Sequence, residues 1–195
     1  MICDRSARTS RRRGKAMAKP RIATAHLTGC FGCHMSILDL DERLLDLIQI
    51  VDFDKSPFDD IKEFSAPCDV GLIEGGCSSD ENVHVLRLFR KNCGILVSVG
   101  ECALTGGVPA LRNMVSLSEC MEEAFLKGPS VVDGVLPDDP DIPLILDRVY
   151  PSHEVVKIDH FLPGCPPSAD AIWECLTALL AGKGINLGYG LIKYD

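Results

Sequence analysis

Short apolar runs alternate with longer stretches of helical spacing along this chain. Five runs predict strands: Ile22–Leu27, Gln49–Phe53, Val70–Glu74, Ile95–Val99 and Val155–Phe161. Between them, Met35–Ile48 sets Ile37, Leu38, Leu44, Leu45 and Ile48 near helical spacing, with Asp39, Asp41 and Glu42 on a wet face. Glu81–Lys91 repeats the pattern with Val85, Leu88 and Phe89, and Leu117–Leu126 is acidic on one side. Ala169–Ala181 is apolar around Ile172, Trp173, Leu176, Leu179 and Leu180, and Gly182 marks its stop. Strands joined by helical crossovers predict an α/β fold with a parallel sheet and helices on both faces. The nearly continuous apolar run Ile95–Val99 suits a central strand covered on both sides. Residues 128–154 carry Pro129, Pro137, Pro140, Pro143 and Pro151 and read as a long excursion before the last strand.

Composition adds little to that picture until it is divided. The 195 residues are 46% hydrophobic, enough for one domain with a real core, and the formal net charge is −8. Seven basic residues against Asp4 alone lie in residues 1–19, a basic tail, or an upstream extension with Met17 as the natural start. Residues 20–195 form the single expected domain and carry a balance of −14. So acidic a body repels nucleic acid. Ser10-Arg11-Arg12 has the look of a twin-arginine signal, but Lys19, Pro20 and Arg21 break the apolar region such a signal needs. No stretch approaches the roughly 18 apolar residues of a membrane span. Ten cysteines without an export signal point to the reducing cytoplasm, where they serve as metal ligands, catalytic thiols or small core residues.

Five of those cysteines fall where an open α/β sheet builds its sites, beyond the carboxyl ends of strands. Thr28-Gly29-Cys30-Phe31-Gly32-Cys33 follows the first strand and Gly75-Gly76-Cys77 the third. Gly100-Glu101-Cys102 follows the fourth, and Pro163-Gly164-Cys165-Pro166-Pro167 the fifth. The glycines allow backbone to approach sulfur closely, and the proline pair stiffens the entry to the last helix. A CxxC pair at a helix start also fits a thiol-redox protein. Two close pairs would be usual for structural zinc. One CxxC with widely separated single cysteines favours a 4Fe–4S cluster over a zinc-stabilised protein.

These motifs resemble the nickel–iron hydrogenase small subunit family. CFGCHMS is similar to its CxGCxxS motif, GECALTGG to its GxCAxxGG loop and PGCPP to its GCPP loop. Glu74-Gly75 resembles its glutamate–glycine turn, and the match runs from about Arg21 to Gly182. The resemblance implies a flavodoxin-like, doubly wound, five-stranded sheet. It implies that Cys30, Cys33, Cys102 and Cys165 hold one proximal 4Fe–4S cluster facing a nickel–iron centre in a separate large subunit. Larger members carry further His and Cys ligands, whereas only Cys175 follows Cys165 here. The single-cluster form is most similar to small subunits of soluble NAD-reducing hydrogenases, whose flavin and iron–sulfur diaphorase subunits pass electrons to NAD. The cluster subunit of respiratory complex I resembles the domain too, but with adjacent cysteines in place of CxxC. FMN, which a flavodoxin binds at the first strand's loop, would compete with Cys30 and Cys33 for that space, so iron is the expected occupant.

The remaining candidates have plainer readings beside the functional ones. Cys77 is either a loop residue near the cluster or a further ligand or reactive thiol. His34 either hydrogen-bonds cluster sulfur or starts a helix, and Glu74 either ties loops or stands at the large-subunit interface. Cys68, Cys93, Cys120 and Cys175 read as core or loop residues. His26, His84, His153 and His160 show no ligand spacing among themselves.

Overall fold

The computed structural model describes residues 19–192. The basic tail lies, apart from Lys19, outside the described residues. The chain opens on β1 (Arg21–His26), whose middle four residues are buried. It continues through α1 (Gly32–Leu38), α2 (Glu42–Ile50), β2 (Asp52–Phe53) and β3 (Cys68–Glu74). Then come β4 (Cys77–Ser79), α3 (Asp80–Asn92), β5 (Cys93–Val99), α4 (Glu101–Thr105) and α5 (Leu117–Phe125). β6 (Ile145–Tyr150), α6 (Ser152–Val155), β7 (His160–Leu162) and α7 (Ala169–Leu180) complete it. No helix among the described residues is long and apolar enough to cross a membrane.

Five strands form one parallel sheet in the order β2-β1-β3-β5-β7. Counted within the sheet, this is the flavodoxin-like order. Side chains alternate across it with the period of two that a strand imposes. Ile22, Val70, Leu72, Val97 and Val99 face Ile37 of α1, Leu47 of α2 and Ile172 and Leu176 of α7. Ala23, Ala25, Ile73 and Leu96 face Leu86 and Phe89 of α3 on the other side. Each large side chain so buried contributes about 1.5–3 kcal/mol. α3 is fixed at its start by Ser79, whose side chain accepts from Asn82 N, and α7 by Ser168, which accepts from Ala171 N.

Three expected elements differ in the structure. The helix expected over Met35–Ile48 is two, because Asp41 takes a positive φ of 52° and Leu40 drops into the core. α2 then runs on through Ile50, which leaves only Asp52–Phe53 to pair as the second strand. The last strand, expected over Val155–Phe161, is confined to His160–Leu162. Ser152 donates to Ala103 O at 2.9 Å and anchors a helical turn, and Val155, Val156 and Ile158 pack beside the α3 core instead of pairing. The proline-rich excursion also holds a strand: β6 pairs antiparallel with β4, Cys77 opposite Tyr150, as a separate two-stranded ribbon. Finally, α7 starts after the proline pair, at Ala169.

Candidate metal centre

The parallel sheet turns the carboxyl ends of β1, β3, β5 and β7 to one side, and three of the connecting loops carry the four matched cysteines. The first loop is pinned by the hydroxyl of Thr28, which donates to Asn82 Oδ1 at 2.8 Å and pairs with Ser78 Oγ at 2.5 Å. Phe31 then takes a left-handed φ of 68°, unusual for a bulky residue, and turns the chain into α1 with Cys33 as its second residue. The loops after β5 and β7 are joined by backbone: Gly100 N–H donates to Leu162 O at 2.8 Å and Glu101 N–H to Gly164 O at 3.0 Å.

Glycine is required at two of these turns. Gly100 has φ of 80°, and a Cβ there would clash with Cys33 Sγ, well inside contact distance. Gly107, at φ of 52°, would bring a Cβ to 3.0 Å from Cys102 Sγ and Cys102 N. Both therefore supply backbone conformation and space against sulfur.

Cys30, Cys102 and Cys165 line one cleft of about 660 Å³. Its far wall is apolar, from Val108, Leu117, Met121 and Ile145. Cys33 sits more deeply. Burial raises its thiol pKa, and the Glu74 carboxylate and the Cys102 and Cys30 thiols add to that rise. The Cys102 thiol is raised in the same way, by burial and then by Cys165 and Cys30. Cys33 and Cys102 thus each feel two of the other matched thiols. Among the described residues, no three His, Cys, Asp or Glu side chains converge as the ligands of a single ion do. Cys30, Cys102 and Cys165 line an open cleft with Cys33 behind them, and an all-sulfur donor set there suits a cluster with a body of its own. Donor chemistry and glycine cradle both fit such a group.

Behind Cys33 lies a network of which sequence reasoning had only part. Glu74, at the end of β3, is 3% exposed. Its Oε1 accepts from His26 Nδ1 at 2.8 Å and from His34 Nδ1 at 2.6 Å, and its Oε2 from His34 N at 3.2 Å. His34 Nε2 pairs with Thr24 Oγ1 at 3.0 Å. The His34 ring stacks on Phe31 at 4.7 Å and meets Phe58 edge-on at 5.1 Å. Despite burial, these donors hold the Glu74 carboxyl below its usual range, His34 contributing most.

Two expectations change here. Both His34 ring nitrogens are engaged, so the ring is turned to Glu74 and Thr24 rather than offering an N–H to cluster sulfur. Glu74 points inward and does not form an interface. Cys77 is corrected outright: it is fully buried in β4 among core residues, with burial alone pushing its thiol up to about 11. Two other residues were missed. His26 is the register partner of Glu74 across β1 and β3, a signal available once the strands are aligned in parallel. Cys120 lines the cleft because α5 folds back over it, which no local pattern announces.

Residues 30–179, a span that begins at Cys30 and holds all four thiols, match the family described as NADH ubiquinone oxidoreductase, 20 kDa subunit. The chain belongs to this family. Within it, the delta subunit of the NAD-reducing hydrogenase HoxS of Cupriavidus necator is 48% identical over 180 residues, covering 91% of this chain and 86% of that one. A subunit of the F420-non-reducing hydrogenase of Methanothermobacter marburgensis is 40% identical over 177 residues, covering 87% of this chain. The chain spans only 56% of that longer relative. Among solved structures, an NAD+-reducing NiFe hydrogenase in its H2-reduced state aligns with a TM-score of 0.88 at 48% identity, covering 91% of this chain and 99% of that one. A NiFeSe hydrogenase from Desulfomicrobium baculatum aligns at a TM-score of 0.52 with 14% identity, a likeness of fold alone.

Proposed function

We propose that this chain is the electron-transfer small subunit of a cytoplasmic nickel–iron hydrogenase that reduces NAD. The reading is supported by three strand-end loops that bring Cys30, Cys33, Cys102 and Cys165 to one edge of the sheet, where Cys30, Cys102 and Cys165 line one cleft. Likeness to the HoxS delta subunit over nearly its whole length supports the choice of enzyme. One 4Fe–4S cluster on these thiolates would supply one-electron storage. The chain's own residues hold it and shape its surroundings. Gly100 and Gly107 let backbone close on the sulfurs. Burial and hydrogen bonds to sulfur tune the reduction potential. No residue of this chain makes or breaks a bond of dihydrogen. This reading gives the loop after β1 to iron rather than FMN.

Two kinds of partner follow from the relay. A large subunit with the nickel–iron centre covers the cleft and the helical segment 108–114 that begins at its wall, whose apolar side chains are exposed: Val108 is 72%, Leu111 62% and Met114 85% accessible. Iron–sulfur and flavin diaphorase subunits take the electrons onward. The test is to purify the chain with the proteins that accompany it and measure iron. Four irons in this chain and loss of both cluster iron and hydrogen-dependent NAD reduction in Cys102→Ser are expected. Unchanged iron in Cys102→Ser refutes the ligand set. Stoichiometric zinc without iron replaces the reading by a zinc-stabilised protein.

A further inference from the structure

The carboxylate behind the metal centre is held more firmly than a loop tie requires. Glu74 is buried at the end of a central strand, and three N–H groups, from two histidine rings and one backbone amide, converge on its two oxygens. That amide belongs to His34, in the peptide that joins it to Cys33, so the carboxylate sits one residue from a ligand. The His34 ring cannot swing away, because Phe31 and Phe58 pack against it and Thr24 Oγ1, itself 2.9 Å from Ser56 Oγ, holds its far nitrogen. The result is an anionic group fixed in place beside one of the four ligands, with little water to screen it.

We propose that Glu74, clasped between His26 and His34, lowers the reduction potential of the metal centre through Cys33. A fixed negative charge opposes the arrival of an electron, and low local polarisability keeps that opposition from being screened. The histidine donors temper it. His26 does so from the surface, its side chain 30% exposed, so the strength of the clasp is adjustable from outside the core. Glu74 is thus a positioning residue for charge and touches no substrate. The inference rests on the cluster reading above.

The experiment is an EPR-monitored potentiometric titration of the chain in complex with its partner subunits, the signal being identified by its loss in Cys102→Ser. Glu74→Gln keeps the size and one acceptor oxygen for the two histidine rings while removing the charge and the acceptor of the His34 amide. Its reduced-to-oxidised ratio at fixed potential should rise about tenfold, a shift of about 59 mV to higher potential for one electron. If Glu74→Gln assembles the cluster at an unchanged potential, the proposal is overturned. If Glu74→Gln fails to take up iron, His26→Ala decides, since it strips one donor from Oε1 far from the ligands. A shift to lower potential in His26→Ala supports the proposal, and no shift overturns it. Absence of any cluster signal in the unaltered complex sinks the function reading instead, so the two failures are distinguishable.

Discussion

The two ends of the one parallel sheet carry cysteines of opposite fate. At the amino-terminal end, Cys68 and Cys93 are register partners on β3 and β5, each 4% exposed. Burial pushes their thiols up to about 11 and about 12. Beside them the buried Asp54 accepts from Arg21 Nη2 at 2.8 Å, from Ser65 N at 3.2 Å and from the Cys68 thiol at 3.6 Å. That end is closed, and Asp54 is its hub. At the carboxyl end, Phe31, Gly100, Gly107 and Gly164 all take positive φ, and Cys30 and Cys165 are exposed. Strain of this kind gathers where a site is being shaped. Residue type does not separate the two groups of thiols. Strand direction does, because every parallel strand delivers its following loop to the same edge.

That contrast can be broken at either end. The largest effect on stability is expected at the closed end. Asp54→Ala removes the partner of Arg21 and leaves backbone donors of Ser65 and Ala66 without an acceptor. A loss of about 3 kcal/mol is expected, read as a fall in Tm of about 10 °C, with iron per folded chain unchanged. At the open end, Gly100→Ala forces a side chain onto Cys33 Sγ and out of its preferred φ. About 2 kcal/mol of destabilisation should accompany loss of most of the iron, measured by metal analysis on the folded fraction. If Gly100→Ala keeps its iron, the cradle argument fails.

Acid offers a milder probe of the closed end. Arg21 and Arg90 hold the carboxyls of Asp54 and Asp159 below their usual range against the opposing effect of burial. A depressed folded pKa contributes stability that is present above the unfolded value and is lost as pH falls through the folded one. Denaturation midpoints should therefore be level near neutral pH and fall below about pH 4, and Asp54→Asn should flatten that slope. Smallest of all, Cys93→Ala should cost about 1 kcal/mol in urea unfolding and leave iron content untouched.

β1, β3 and β5 are readable in the sequence, because buried strands leave apolar runs of the right length, whereas β2 and β7 are legible in place but not in extent. What was hidden depends on distant partners. Ile145–Tyr150 carries Asp147 and Arg148, and becomes a strand only because the three residues of β4 accept it. Val155–Phe161 has strand composition, yet Ser152 and Asp159 anchor it otherwise, Asp159 accepting from Leu96 N at 2.9 Å. For the site, the cysteines stood out by spacing, and their loops lie where strand direction predicted. The roles of His26 and His34 did not stand out, since which nitrogen meets which oxygen is decided by register and ring stacking.

The backbone bonds from Gly100 to Leu162 and from Glu101 to Gly164 have a consequence for assembly. They hold the loops of Cys102 and Cys165 at their mutual spacing through the polypeptide alone. In small metallo-domains the ion gathers the chain, and binding and folding are one event. Here these two loops are set by their own bonds, so on the proposed reading the fold is expected to outlast removal of the metal.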